Sequence, residues 1–207
     1  MSSLMRCAAA RSRHEVAKVK GSRFIATVEP VRTPADVEAC LAGAARELPG
    51  ATHHCWAYRL GRQGSVARAH DDGEPGGTAG RPILQQLVVR GLTNTLVVVT
   101  RFFGGTKLGA GGLVRAYSHA ASEALDRAAL REMVPLQVVA FTFAYEASGA
   151  VRSVLAAHAL EPVESSFGSE VTFVLHLPEA SAAQICQELL DCTAGRGRIE
   201  PAPAPDL

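Results

Sequence analysis

Arg101-Phe102-Phe103-Gly104-Gly105-Thr106-Lys107-Leu108-Gly109-Ala110-Gly111-Gly112-Leu113 is the stretch on which the fold turns. Before it runs Thr95-Leu96-Val97-Val98-Val99-Thr100, a continuous apolar and β-branched segment that reads as a strand buried on both faces. After it, Leu113, Tyr117, Ala121, Ala124 and Ala128 recur at helical spacing, which predicts a long amphipathic helix. Gly104, Gly105, Gly109, Gly111 and Gly112 allow turns and close approaches that a Cβ would resist. Free N–H groups at the helix start, its positive dipole end, and the cations of Arg101, Lys107 and Arg115 together suit a phosphate or carboxylate. The competing reading is a tight strand-to-helix turn whose glycines serve packing alone. A P-loop is excluded, because Leu108 follows Lys107 where Ser or Thr is needed and the Gly-x-x-x-x-Gly-Lys spacing is absent.

Upstream, Glu15–Lys20 and Arg23–Val28 read as two short strands about Gly21-Ser22. Thr33-Pro34-Ala35-Asp36 is a helix start, with Thr33 as cap, Pro34 in the first turn and Asp36 at the positive end. Val37, Leu41, Ala44 and Leu48 share its inner face, and Pro49-Gly50 ends it. Thr52–Leu60 and Ser65–Ala69 form a strand pair, Asp71–Arg81 a loop, and a second helix opens at Pro82 and closes near Gly91.

Downstream, Val139, Phe141, Phe143 and Tyr145 alternate with smaller residues, as on a strand with one packed face. Ser148 can cap a helix carrying Val151, Val154, Leu155 and His158. Strands at Val163–Phe167 and Val171–Leu177, a helix through Ala182, Ile185 and Leu189, and a short strand at 197–201 follow. The order β-α-β-β-α-β is that of a ferredoxin-like module.

With 207 residues the chain is long enough for one large domain or two small ones, and a net charge of +1 confines any nucleic-acid binding to a local patch. No apolar run approaches the ~20 residues that span a bilayer, so no membrane association is expected. Met1–Arg13 lacks the apolar core of a secretory signal and is expected to be a loose tail. Five scattered cysteines with no Cys-x-x-Cys pair fit reduced thiols in a cytoplasm, without a structural zinc site.

Three clusters are candidates for chemistry. The first is the glycine loop with Arg101, Lys107 and Arg115, joined by Arg81 if the Asp71–Arg81 loop lies beside it. RNA held there would be gripped through phosphates, with Phe102, Phe103 or Tyr117 available for stacking unless they are core, and at least one Phe is expected to be core. The second is Asp71, Asp72 and Glu74, which could hold Mg²⁺ for a hydrolase or phosphotransferase, or pair with arginines and cap the helix near Pro82. Pairing is the favoured reading. The third is His53, His54 and Cys55, with His53 and Cys55 on one strand face; a nucleophilic pair or soft-metal site competes with an inert buried thiol. His158 and His176 have no evident partners.

Lys20-Gly21-Ser22-Arg23-Phe24-Ile25-Ala26, Ala51–Tyr58, Asp71–Ile83, Val97–Gly105 and Lys107–Tyr117 resemble the motifs of the IMPACT/YigZ family over about residues 15–130. His54 stands where that pattern commonly has Asn, and Gly76 where it has Ser. The resemblance implies an α+β chain of two domains. Residues 14–132 would be a ribosomal protein S5 domain 2-like domain, and 134–201 a ferredoxin-like domain, with tails at 1–13 and 202–207. That pair looks like the last two domains of the translocase elongation factor G. It implies a cytoplasmic, translation-associated binding protein whose partner is the ribosome, RNA or a ribosome-bound factor, with no cofactor and no resident metal. Charge reversal at Arg101 or Lys107 is then expected to weaken binding and spare the fold. Eukaryotic relatives regulate translation as adaptors in a stress pathway through an added RWD domain, which is not expected in these residues, so that partner is not carried over.

Overall fold

The computed structural model describes residues 5–202, and the chain divides into two compact units, Met1–Met133 and Val134–Leu207. The elements of the first are β1 (Met5–Ala8), β2 (Ser12–Glu15), β3 (Arg23–Pro30), α1 (Pro34–Glu47), β4 (His53–Leu60), β5 (Val66–His70), α2 (Gly80–Val89), β6 (Thr95–Phe102), α3 (Ala110–Arg127) and β7 (Leu130–Met133). An antiparallel sheet in the order β2-β3-β6-β4-β5 puts β6 at its centre. Val97 and Val99 pack with Phe24, Ala26, Cys55 and Ala57 beneath Ile83 and Leu87 of α2 and Leu113, Tyr117 and Ala121 of α3. Leu96 and Val98 face the other way, against Tyr58, Leu60 and the α1 residues Val37 and Ala44. Cover on both faces is why β6 reads as an unbroken apolar run.

Thr33 caps α1 as expected. Its hydroxyl accepts from Asp36 N at 3.2 Å, while the Asp36 carboxylate accepts from Thr33 N at 3.0 Å. Such a reciprocal cap stabilises a helix by about 1 kcal/mol. Helix α2 starts at Gly80, two residues before the expected Pro82, because the N–H of a residue in the first turn needs no helical partner and proline is tolerated there.

The amino-terminal hairpin differs from the expectation. Its tight turn is Lys20-Gly21, with φ of 46° and 82°, closed by mutual 3.0 Å hydrogen bonds between Val19 and Ser22. Glu15 faces Ile25 while Val19 faces Ser22, so the first arm takes four steps against three and carries a bulge that ends regular pairing at Glu15. The expected loose tail at 1–13 is also corrected. Met5–Ala8 pairs antiparallel with Leu130–Met133, burying Met5, Cys7 and Ala8, and Ser12–Glu15 is the sheet edge. Residues 1–4 lie outside the described residues.

The second unit comprises β8 (Leu136–Phe143), α4 (Ser148–Ala157), β9 (Glu164–Phe167), β10 (Val171–Pro178), α5 (Glu179–Cys192) and β11 (Arg198–Pro201). Its antiparallel order β11-β8-β10-β9 is ferredoxin-like. Phe141, Phe143, Phe173 and Leu175 pack against Val151 and Leu155 of α4 and Ile185 and Leu189 of α5. Three expectations fail here. Tyr145, expected on the packed strand face with Phe141 and Phe143, lies past the end of β8 and is exposed. Ser148 does not cap α4 through its side chain; its hydroxyl donates back to Tyr145 O at 2.6 Å. His158 does have a partner, since its Nε2 lies 2.7 Å from Glu188 Oε2 on α5. Of the expected tail at 202–207, Ala202 N still bonds Val138 O at 3.2 Å, and 203–207 lie outside the described residues. The chain is an α+β protein of two domains.

Candidate nucleic-acid interface

Register gathers the candidate residues of the first domain at one end of its sheet. Arg101, near the end of β6, lies opposite both Phe24 at the start of β3 and His53 at the start of β4. The Lys20-Gly21 turn, Thr52, the 71–79 loop and the 103–109 loop therefore share that end.

The cation at Arg101 is not available there. Its side chain is 6% exposed, with Nη1 donating to Glu74 Oε1 at 2.6 Å and Nη2 to Ser22 Oγ at 3.2 Å. Tyr117 OH donates to the same Glu74 oxygen at 2.7 Å, so the carboxylate is paired with one cation and hydrogen-bonded by one phenol. Burial pushes the Tyr117 phenol well above its ordinary value, which keeps that proton in place. Arg101→Glu would set a second carboxylate against Glu74, and the expectation that this reversal spares the fold is corrected accordingly. Tyr117 is fully buried, edge-on to Phe24 with ring centroids 5.3 Å apart, and so is not a stacking surface. Neither Phe belongs to the core. Phe102 is half-buried under the Arg23 guanidinium, and Phe103 is 48% exposed with the Arg101 guanidinium 5.5 Å from its ring.

The acidic loop is scaffolding. Asp71 Oδ1 accepts from Ala79 N at 2.9 Å and Gly80 N at 2.8 Å, and Oδ2 accepts from Gly77 N at 2.8 Å. Burial works to raise this carboxyl, but the three N–H donors outweigh it and leave Asp71 below the usual carboxylate range. Asp72 Oδ2 accepts from His54 N at 2.6 Å. With Glu74 held by Arg101, each carboxylate has its own partner, and among the described residues no three His, Cys, Asp or Glu side chains are arranged to hold a metal ion.

His53 and Cys55 do share the face that carries Glu74. His53 Nδ1 donates to Asp72 O at 2.7 Å, which turns Nε2 toward Glu74 Oε1 at 3.9 Å. The Cys55 thiol donates to Asp71 O at 3.0 Å, and burial pushes it up to about 12, so it stays a thiol at neutral pH. His54, on the opposite face, bonds Thr100 Oγ1 at 2.9 Å, and burial holds its imidazole below the ordinary value.

The glycines divide into two kinds. A Cβ on Gly104 would sit 1.9 Å from the Gly21 carbonyl carbon, so Gly104 exists for the close approach of two backbones. Gly105 and Gly109, with φ of 86° and 72°, and Gly111 face open space or ordinary contact, and Gly112 lies against Leu108. No side chain caps α3, whose first N–H groups follow Gly109. Lys107, Arg115 and Arg81 are exposed and make no ion pair among the described residues. Beside the loop, Val19, Lys20, Leu108, Arg115, Ala116 and His119 line a cleft of about 270 Å³. Lys20 and Ser22 stand in a motif of the family resemblance but were not among the candidate site residues, although Lys20-Gly21 has the form of a left-handed hairpin turn.

Comparison with known proteins bears on this domain first. Residues 20–125 match the Impact N-terminal domain, a span of about half the chain that takes in the Lys20 turn, the acidic loop and the glycine loop. The chain belongs to the IMPACT family. Residues 141–196 of this IMPACT family member match a domain of unknown function, DUF1949. An IMPACT family member of Thermus thermophilus is 42% identical over 183 residues, covering 88% of this chain and 99% of the relative. IMPACT family member YigZ of Escherichia coli is 31% identical, covering 87% and 89%. The mouse Protein IMPACT is 36% identical over 93 residues, which is 42% of this chain and 29% of that protein. A solved structure described as that of a hypothetical protein superposes with a TM-score of 0.76 at 28% identity, covering 99% of this chain and all of the other.

Proposed function

We propose that this IMPACT family member is a translation-associated binding protein that holds RNA, foremost that of the ribosome, at the glycine-loop end of its first domain. One observation carries the reading. Lys107 and Arg115 flank an α3 N-terminus that no side chain caps, and among the described residues neither cation is spent on an ion pair, whereas Arg101 is. Exposed N–H groups, a helix dipole and unpaired cations bind phosphate without base specificity. Exposed Phe103 adds a surface on which a base can stack. The translation link rests on family membership and on the resemblance of the domain pair to the end of an elongation factor. On this reading the protein works in the cytoplasm, where its cysteines remain thiols. No helix of the described residues is long and apolar enough to cross a membrane.

Co-sedimentation with ribosomes and subunits across a salt series tests the proposal, with Lys107→Glu alongside. Binding should fall by an order of magnitude or more between ~50 and ~200 mM salt, and Lys107→Glu should weaken it while the melting temperature holds. Binding indifferent to both salt and the charge reversal would overturn the proposal.

A further inference from the structure

The cleft beside the glycine loop has a chemistry that general phosphate binding does not require. We propose that it is a pocket for one unpaired nucleotide of a single-stranded RNA, an inference that rests on the RNA-binding reading above. The cleft lies between one stripe of α3 and the Lys20-Gly21 turn. Half-buried Val19 and Leu108 and buried Ala116 give it an apolar floor, exposed Lys20, Arg115 and His119 give it a basic rim, and among the described residues no carboxylate lines it. A bare phosphate would leave that floor unused, and an apolar ligand would leave the cations unused. A nucleotide uses both, because its base presents a flat apolar face and its phosphate a charge.

Size narrows the ligand further. About 270 Å³ lies just below the range of pockets that take drug-sized molecules and has room for one nucleoside. In a duplex the base faces are already stacked on one another, so only an unpaired base can reach this floor.

The backbone that carries Lys20 is fixed for the purpose. Lys20 adopts φ of 46°, a conformation that costs an L-residue energy, where glycine would be free of strain. Two hydrogen bonds between Val19 and Ser22 close the turn, and the Gly21 backbone rests directly on Gly104. The same contact that anchors the start of the glycine loop therefore anchors Lys20 over the cleft. Of the rim residues, His119 is partly engaged with Glu123, 3.3 Å away, so Lys20 and Arg115 are the principal phosphate ligands.

Fluorescence anisotropy with a labelled single-stranded RNA octamer, and with a blunt duplex of the same sequence, tests the pocket. Wild type is compared with Lys20→Gly, Arg115→Gln and Lys107→Glu. Lys20→Gly is a clean probe because glycine takes the turn's φ without strain. Lys20→Gly should weaken the single strand by about three- to tenfold and lower its salt slope by about one, with little change for the duplex, whereas Arg115→Gln, which also removes a cation of the general phosphate site, should weaken both RNAs and the single strand more. Lys107→Glu should weaken both RNAs, and millimolar adenosine monophosphate should displace the single strand. If Lys107→Glu weakens both RNAs while Lys20→Gly changes neither, the pocket is overturned and the broader RNA reading stands. If neither RNA binds at low salt, both fall. Adenosine monophosphate binding that depends on Lys20 without any RNA binding would assign the cleft to a free nucleotide and overturn the RNA assignment.

Discussion

Arg101 and Glu74 form a buried ion pair, Nη1 donating to Oε1 at 2.6 Å with side chains 6% and 4% exposed. The pair joins the end of β6 to the loop before α2, and Ser22 and Tyr117 extend it to the β3 hairpin and to α3. Phe103, where the glycine loop begins, is the next residue but one, so this network sets the position from which the loop departs. Arg101 is spent within this network, on Glu74 and Ser22.

Arg101→Met would leave the Glu74 carboxylate buried without its cation. Removing one partner of a buried pair costs about 3–5 kcal/mol, because the remaining charge is uncompensated. The double variant Arg101→Met with Glu74→Met should recover most of that loss. Urea denaturation of the two variants measures it. A loss under about 1 kcal/mol for Arg101→Met would show that the pair is solvated.

The two kinds of glycine separate in a second comparison. Gly104→Ala would drive a Cβ into the Gly21 backbone, which cannot rotate away as a side chain can. The cost should reach or exceed about 3 kcal/mol, the upper end for overpacking. Gly111→Ala meets nothing nearer than Arg115 Nη1 at 3.6 Å and lies in the first turn of α3. It should stabilise the domain by up to about 1 kcal/mol. Thermal melts in parallel decide the point, and equal melting temperatures would refute the close approach of Gly21 and Gly104.

The elements legible in the sequence were those whose determinants are local. Strand β6 announces itself by an apolar run, α3 by its spacing, and α1 by Thr33 and Asp36 three residues apart. The ferredoxin-like order of the second domain follows from the same signals. What the sequence hid was non-local. Met5–Ala8 becomes a strand because Leu130–Met133 lies beside it, and four residues carry too little periodicity to reveal either partner. Arg101 offers the same chemistry whether it faces solvent or Glu74, which comes 27 residues earlier. Tyr117 likewise sits on the expected inner stripe of α3, but its hydroxyl partner lies in another loop. The candidate residues of the first domain do gather at one end of its sheet, while the division of their cations into buried and exposed required the fold.

Asp71 supplies a test by pH. Its folded carboxyl lies below the usual range because the N–H groups of Gly77, Gly80 and Ala79 outweigh the effect of burial. A group whose pKa is depressed by folding contributes stability in full above its unfolded value, about 3.9, and loses it as pH falls through the folded value. Asp71→Asn retains one acceptor oxygen for three donors, so at pH 7 it should cost about 1–2 kcal/mol. At low pH the wild-type carboxyl takes up its proton and forfeits the same advantage, so the gap between the two proteins should close as pH falls below the usual carboxylate range. Urea denaturation of both at pH 7 and near pH 3 gives the comparison directly. A gap that persisted unchanged in acid would mean that the carboxylate charge is not what holds the loop. Since Glu74 hangs from that loop, loosening it should also loosen the grip on Arg101 and the start of the glycine loop.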